Sequence, residues 1–268
     1  MDIKNALSLY HESGASFDTD FHGRWLRENW WVSLPISAVY LVLVFGGQRW
    51  MENRPAYDLR RPLMMWSAAF ALFSFFGLVN TAPGLLHSLL FEKNGWHDVI
   101  CKASFYNGRI GMWAWLFPMS KVVELGDTFF IVLRKRKLIF IHWYHHIFTL
   151  IYSWYSHRDY ISTGRFFATL NFGVHAAMYA YYALSAAKVT KIPQKLKVGI
   201  TLIQLSQFFI SIAVTVHTII QLVNGNQCDT HGTNIAWSVV LYLSFLYFFM
   251  KFFYEAYVKP IGAKKRKE

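Results

Sequence analysis

Charged residues are missing from long stretches of this sequence. Positions 138–155 contain no Asp, Glu, Lys or Arg, and 31–47 carry no charged residue either. Uncharged runs of this length suit a span through lipid. They recur along the chain, where 54% of residues are apolar and the mean hydropathy is +0.25. A soluble domain is thereby excluded, and the expected fold is one all-α polytopic membrane domain over nearly the whole chain. No separate basic domain stands outside these stretches, so the net charge of +12 does not argue for nucleic acid. Residues 1–8 lack a basic segment leading into an apolar core, so no cleaved signal peptide is expected and insertion falls to the first span.

Seven transmembrane helices are predicted, at about 31–47, 63–80, 112–133, 138–155, 166–187, 198–223 and 235–254. They divide the chain into an N-terminal lumenal segment, 1–28, with a short surface helix, a seven-helix domain, 29–258, and a basic cytosolic tail, 259–268. With the N-terminus lumenal and the C-terminus cytosolic, most basic residues gather on the cytosolic side. They include Arg49, Arg54, Arg60 and Arg61, the run Arg134-Lys135-Arg136-Lys137, and Lys188, Lys191, Lys195 and Lys197. The positive-inside rule favours this orientation. Those residues would then meet anionic membrane lipid or a phosphorylated ligand.

Cysteine is equally sparse, with Cys101 in the long segment 81–111 and Cys228 in the loop before the last span. Both fall on the oxidising side, which predicts a Cys101–Cys228 disulfide. No thiol is then left to face a cytosolic substrate, and acyl transfer there would need another nucleophile.

What the apolar stretches do contain is histidine. His142, His145 and His146 stand at i, i+3 and i+4, so their imidazoles share one helical face. Ionisable groups at such depth point to function. The third predicted span carries Lys121, Glu124, Asp127 and Thr128, charges that are costly in lipid unless paired or facing a polar cavity. An ion pair fixing helix packing, metal ligation and proton transfer all fit that pattern. The fifth span aligns Asn171, His175, Met178, Tyr179 and Tyr182 on one face, and the sixth adds Thr201, Gln204 and Gln207. Singly, these residues would serve as hydrogen bonds between helices.

Depth joins them. At about 1.5 Å per residue, His145, Glu124, Asp127 and Gln204 lie roughly 10 to 15 Å from their cytosolic loops, and His175 roughly 20 Å. The lumenal halves stay almost wholly apolar. Spans two to seven are therefore expected to enclose a pocket with a polar mouth open to the cytosol and a greasy closed end, fit for a charged head and a long hydrocarbon tail.

Lys121-x-x-Glu124-x-x-Asp127-Thr128, His142-Trp143-Tyr144-His145-His146, Asn171-x-x-x-His175-x-x-Met178-Tyr179 and Gln204-x-x-Gln207 resemble the signature blocks of the very-long-chain fatty acid elongases. The likeness covers roughly residues 30–260. His-x-x-His-His alone would not separate them from membrane desaturases. Trp143, Ser104-Phe-Tyr-Asn-Gly108 and Tyr152-Ser-Trp-Tyr155 resemble the branch that extends saturated and monounsaturated acyl groups of palmitoyl-like length.

The resemblance implies a condensing enzyme of the endoplasmic reticulum membrane, a 3-oxoacyl-CoA synthase. It would join a long-chain acyl-CoA to malonyl-CoA with loss of CO2, giving a 3-oxoacyl-CoA two carbons longer. Acyl-CoA and malonyl-CoA would be its substrates, with no bound cofactor and no metal. Its partners would be the reductase and dehydratase of the elongation cycle. It places an acyl-imidazole on His145, with His175 opposite. His142 and His146, with Glu124 and Asp127, would set tautomers, and Asn171 and Gln204 would supply hydrogen bonds. Lys121, Arg134, Lys137, Lys188, Tyr179, Tyr182 and again Gln204 are the candidates for the CoA-bearing end.

Two other readings compete. A di-iron desaturase or hydroxylase would need many ligands, and only four of the eleven histidines, 142, 145, 146 and 175, lie near the cytosolic half. A seven-helix transporter or receptor explains buried ion pairs but not the histidine box. The tail Ala263-Lys-Lys-Arg-Lys-Glu268 resembles a dilysine retrieval signal, with Arg266 where the key lysine is expected. A solvated charge run explains that tail equally well.

Overall fold

A computed structural model describes residues 17–188 and 192–259, and among them every regular element is helical. Helix α1 (Thr19–Glu28) begins where the Asp18 side chain accepts the Phe21 N–H at 2.9 Å, satisfying one of the donors a helix start leaves open. A 3-10 turn, Trp30–Val32, leads into α2 (Ser33–Met51). Then come α3 (Arg60–Phe91), α4 (Gly95–Cys101), α5 (Gly108–Glu124) and α6 (Gly126–Leu133). The chain continues through α7 (Phe140–Arg158), α8 (Gly164–Ala187), α9 (Gln194–Val223) and α10 (Gly232–Phe253), and the described part closes on a π-helical turn, Tyr254–Val258.

Four segments are long and apolar enough to cross a membrane: Trp30–Met51, Arg60–Phe91, Gln194–Val223 and Gly232–Val258. The chain is therefore a multi-pass membrane protein. Helices also stand at the other three predicted spans, but α5, α6, α7 and α8 are not among the four. The break at Leu125 leaves α5 and α6 too short to count, at 17 and 8 residues, and in α7 and α8 the histidines and the amide described below lower the hydropathy that marks a span. Two boundaries differ from the sequence reading. Helix α3 runs to Phe91, through Pro83, so residues expected in a loop are helical. The predicted span 112–133 is two helices, because Leu125 N–H bonds Val122 O and Thr128 N–H bonds Leu125 O, tightening the backbone for one turn. Residues 1–16, Lys191 and the basic tail from 260 onward, with Lys264 to Lys267, lie outside the described residues.

Helices α3 and α8 form the most extensive pairing. Gly77 permits it, since a Cβ there would come within 2.6 Å of the Phe172 ring. Gly126, at the start of α6, does the same for α3: its missing Cβ leaves room for the Trp66 indole, which a side chain would meet at 2.7 Å. At one end of the bundle the Cys101–Cys228 disulfide forms as expected and joins α4 to the loop before α10. Asp229 anchors the same corner, its backbone pairing with Cys101 O and Ser162 N–H, each at 2.8 Å, and its carboxylate accepting the Ala103 N–H. At the other end Lys135 donates to the carbonyls of Glu52 and Arg54 at 3.0 and 3.1 Å, which ties the α6–α7 turn to the α2–α3 connection.

Candidate active site

The tightened turn at Leu125 divides the two carboxylates between separate networks. Glu124 ends α5 and accepts from Lys121 Nζ at 2.8 Å and from Ser120 Oγ at 3.2 Å. Lys121 also donates to Asn171 Oδ1 on α8 at 2.9 Å. Lys121 and Glu124 are only 4% and 3% exposed, so the pair is internal and each charge depends on the other. Because the Asn171 carbonyl oxygen is occupied by Lys121, its amide nitrogen is turned the other way as a donor. The other carboxylate, Asp127 on α6, accepts the Trp66 indole N–H from α3 and the Tyr179 hydroxyl from α8, each at 2.6 Å.

The histidines of α7 meet both networks. His146 Nε2 stands 3.9 Å from Asp127 Oδ2, and the His142 and His146 rings lie 4.6 Å apart. His142 Nε2 pairs with Thr128 Oγ1 at 3.0 Å, and that hydroxyl pairs in turn with Tyr40 of α2 at 2.6 Å. Thr128, not a carboxylate, therefore fixes the His142 ring, because the turn at Leu125 carries Thr128 away from the Lys121–Glu124 face. Glu124 faces His175 Nδ1 at 3.6 Å instead of His142 or His146. His145 packs on the Phe245 ring of α10 at 5.0 Å, and among the described residues no side chain hydrogen-bonds it.

Three cavities share walls around these groups. A mainly apolar one runs between α5, α7, α8, α9 and α10, from Lys121, His145, Asn171 and Gln207 past Phe117, Phe208 and Phe245 to Tyr106 and His157. A polar one is lined by Glu124, Asp127, all three histidines of α7, His175, Met178, Tyr179 and Gln204. The two have His145, Asn171, Gln207 and Phe208 in common. The third takes in Arg134, Arg136, Tyr181, Tyr182 and Ser185, and borders the second at Asp127, His142, Tyr179 and Tyr182.

The sequence-predicted residues therefore converge, with some redistribution. His142, His145, His146, His175, Asn171, Glu124, Asp127, Tyr179, Tyr182 and Gln204 line one cavity, where Gln204 donates to the Met178 sulfur at 3.2 Å. Lys121 lies in the wall of the apolar cavity, held by Glu124 and Asn171, and not beside Arg134. Arg134 lines the third cavity, but Lys137 is exposed and Lys188 caps the end of α8 with φ 55°, and neither lines it. Trp66, Tyr40 and His157 are the cavity and network residues that sequence reasoning did not single out, and Arg136 entered it only as one member of a basic run. An indole inside an apolar run was a usable signal for Trp66, since a buried indole N–H requires a partner. Among the described residues, no three His, Cys, Asp or Glu side chains are grouped so as to hold a metal ion.

The sequence profile of the ELO: GNS1/SUR4 family matches residues 25–265 of this chain. The chain is 45% identical to the very long chain fatty acid elongase 6 of Gallus gallus over 244 residues, covering 90% of this chain and 91% of that protein. It is 44% identical to the Homo sapiens protein of the same name, covering 88% of each. For the Drosophila melanogaster protein of that name the identity is 42%, over 94% of this chain and 81% of the relative. The family's signature blocks are the segments that supply the buried ion pair, the histidine face and the α8 amide, so sequence and geometry agree: the chain belongs to the ELO family, the very-long-chain fatty acid elongases, and is an enzyme of fatty acid elongation.

Proposed function

We propose that the protein condenses a long-chain saturated or monounsaturated acyl-CoA with malonyl-CoA through an acyl-histidine on His145. One observation carries this reading: His145 stands in the wall shared by a polar, histidine-lined cavity and an apolar one, and its ring has no side-chain hydrogen bond to give up. An acyl group bonded there has its carbonyl among donors and its hydrocarbon tail among Phe117, Phe208 and Phe245.

In the first half-reaction a neutral His145 nitrogen attacks the thioester carbon. The carbon–sulfur bond breaks, the ring loses its remaining proton, and the departing thiolate leaves as free CoA. In the second, malonyl-CoA loses CO2 and the resulting enolate attacks the acyl carbon; the carbon–nitrogen bond breaks, and the departing imidazolate takes up a proton to restore neutral His145 as the 3-oxoacyl-CoA forms. The Asn171 amide nitrogen, turned inward by Lys121, suits it to stabilise the oxyanion of either step. His175, beside Glu124, is assigned to the second half-reaction. His142 is held by Thr128, His146 stands 3.9 Å from Asp127, and both act on orientation. Arg134, Arg136, Tyr181 and Tyr182 line the cavity that would take the phosphates and adenine of CoA; Lys137 and Lys188 would act on these only as nearby surface charge.

In this reading the chain crosses the endoplasmic reticulum membrane seven times. The disulfide corner is lumenal, and the Arg134–Arg136 end is cytosolic, where it meets CoA esters, anionic lipid and the reductase and dehydratase that complete each cycle. The test is direct. Purified protein given hexadecanoyl-CoA and malonyl-CoA should release one CO2 and one CoA for each 3-oxoacyl-CoA formed. Oxygen consumption with a desaturated or hydroxylated product would replace this reading by the desaturase one.

A further inference from the structure

The far end of the apolar cavity is not apolar. His157, near the end of α7, lines it and is 4% exposed, yet its Nε2 has no hydrogen-bond partner. The other ring nitrogen is engaged by the Ala114 backbone. That bond has a local cause: Pro118, four residues on in α5, has no N–H to give to the Ala114 carbonyl, so the carbonyl is open to a side-chain donor. A histidine that donates from Nδ1 carries its single neutral-state proton there, and Nε2 is left as a bare acceptor. Tyr106 and Tyr160 box in the ring, with centroids 5.5 and 5.3 Å away. A buried acceptor without a donor is costly, and a ligand supplying the donor recovers that cost.

We propose that His157 is a specificity-determining residue that accepts a hydrogen bond from the far end of the acyl chain, so that the enzyme takes ω-hydroxyacyl-CoA as well as plain acyl-CoA. The inference rests on the reading that the acyl carbon is bound at His145. Those two histidines are twelve residues apart on α7, an axial distance of about 18 Å. An extended chain advances about 1.2 Å per bond, so that distance is about 15 bonds, the reach of a 16-carbon acyl group. A hydroxyl on its last carbon would arrive at Nε2 and donate to it. An apolar dead end would instead strand the hydroxyl and disfavour it about 10- to 100-fold.

The experiment compares kcat/KM for 16-hydroxyhexadecanoyl-CoA and hexadecanoyl-CoA, each with malonyl-CoA, in the full-length protein. In the wild type the hydroxylated chain should be used within about threefold of the plain one or better. In His157→Leu the ratio should fall about tenfold, the size of one lost neutral hydrogen bond, and His157→Gln, which keeps an acceptor, should recover part of it. A wild-type ratio below about one tenth, or a ratio that His157→Leu leaves unmoved, overturns the proposal. A His157→Leu protein that elutes differently from the wild type in detergent is misfolded, and the wild-type ratio then decides alone. Failure to elongate hexadecanoyl-CoA at all refutes the underlying condensation reading instead, and with it this inference.

Discussion

Tyr179 on α8 donates a 2.6 Å hydrogen bond to Asp127 on α6, whose other oxygen accepts from Trp66 on α3. Three helices are thereby fixed around one carboxylate. Tyr179→Phe should cost about 2 kcal/mol, the value of a hydrogen bond to a charged group. It should also slow condensation about tenfold, since Asp127 then keeps one of its two orienting donors. The thermal midpoint in detergent and the steady-state rate check the two parts separately. A wild-type rate would assign the orientation of Asp127 to Trp66 alone.

Incubated with acyl-CoA alone, the protein should release up to one equivalent of CoA and retain the acyl group. His145→Ala should abolish this release while the fold persists, because it removes one cavity-wall group whose contact between helices is limited to the Phe245 and Phe249 rings of α10. His175→Ala should still acylate and fail to condense. Undiminished release of CoA from the His145→Ala protein would move the nucleophile elsewhere in the histidine face.

Lys121→Met leaves Glu124 buried without its ammonium partner and should destabilise the protein by about 3 to 5 kcal/mol. Lys121→Met with Glu124→Gln should recover much of the stability and none of the activity, since Asn171 still lacks the cation that orients it. Chemical denaturation of the single and double variants, read beside activity, gives the comparison. Equal stabilities for the two would show that the pair is not coupled.

On the proposed reading the two arginines of the third cavity meet the CoA phosphates, and the effect of removing them should be on binding. Arg134→Ala and Arg136→Ala should each raise KM for acyl-CoA about tenfold with kcat little changed, the signature of lost uniform binding. Lys137→Ala should do far less, because Lys137 is exposed and away from that cavity. A fall in kcat with KM constant would place the arginines in the chemistry.

Much of this was legible in the chain itself. Three histidines at helical spacing in an uncharged run, and Asn171, His175 and Tyr179 on one face of another helix, read correctly because helical periodicity alone assigns faces. The cysteine pair read correctly because only two were present. The partners of each group were less legible. Glu124 and Asp127 are three residues apart and would share a face on a regular helix, but the tightened turn at Leu125 sends one to His175 and the other to Tyr179 and Trp66. Nothing in local spacing signals that turn. Arg136 and Lys137 are neighbours in one basic run, and only the path of the turn before α7 decides which of them reaches a cavity. His157 was assigned by its position near the helix end to the side away from the chemistry, and that side turns out to be the far end of the same cavity.

The helices that hold the polar site are not among the four segments long and apolar enough to cross alone, and in the chain they are bracketed. α2 and α3 precede them and α9 and α10 follow, each long and apolar enough to cross on its own. During synthesis, then, two self-sufficient spans are in the bilayer before the first buried charge emerges. Lys121 leaves the ribosome fifty residues ahead of Asn171, and Glu124 ahead of His175, so α5 must wait for α8 before its charges are fully accommodated. The buried polar cluster thus couples the assembly of the two helices: a defect at Asn171 or His175 should reach back to strand the charges of a helix that was made earlier.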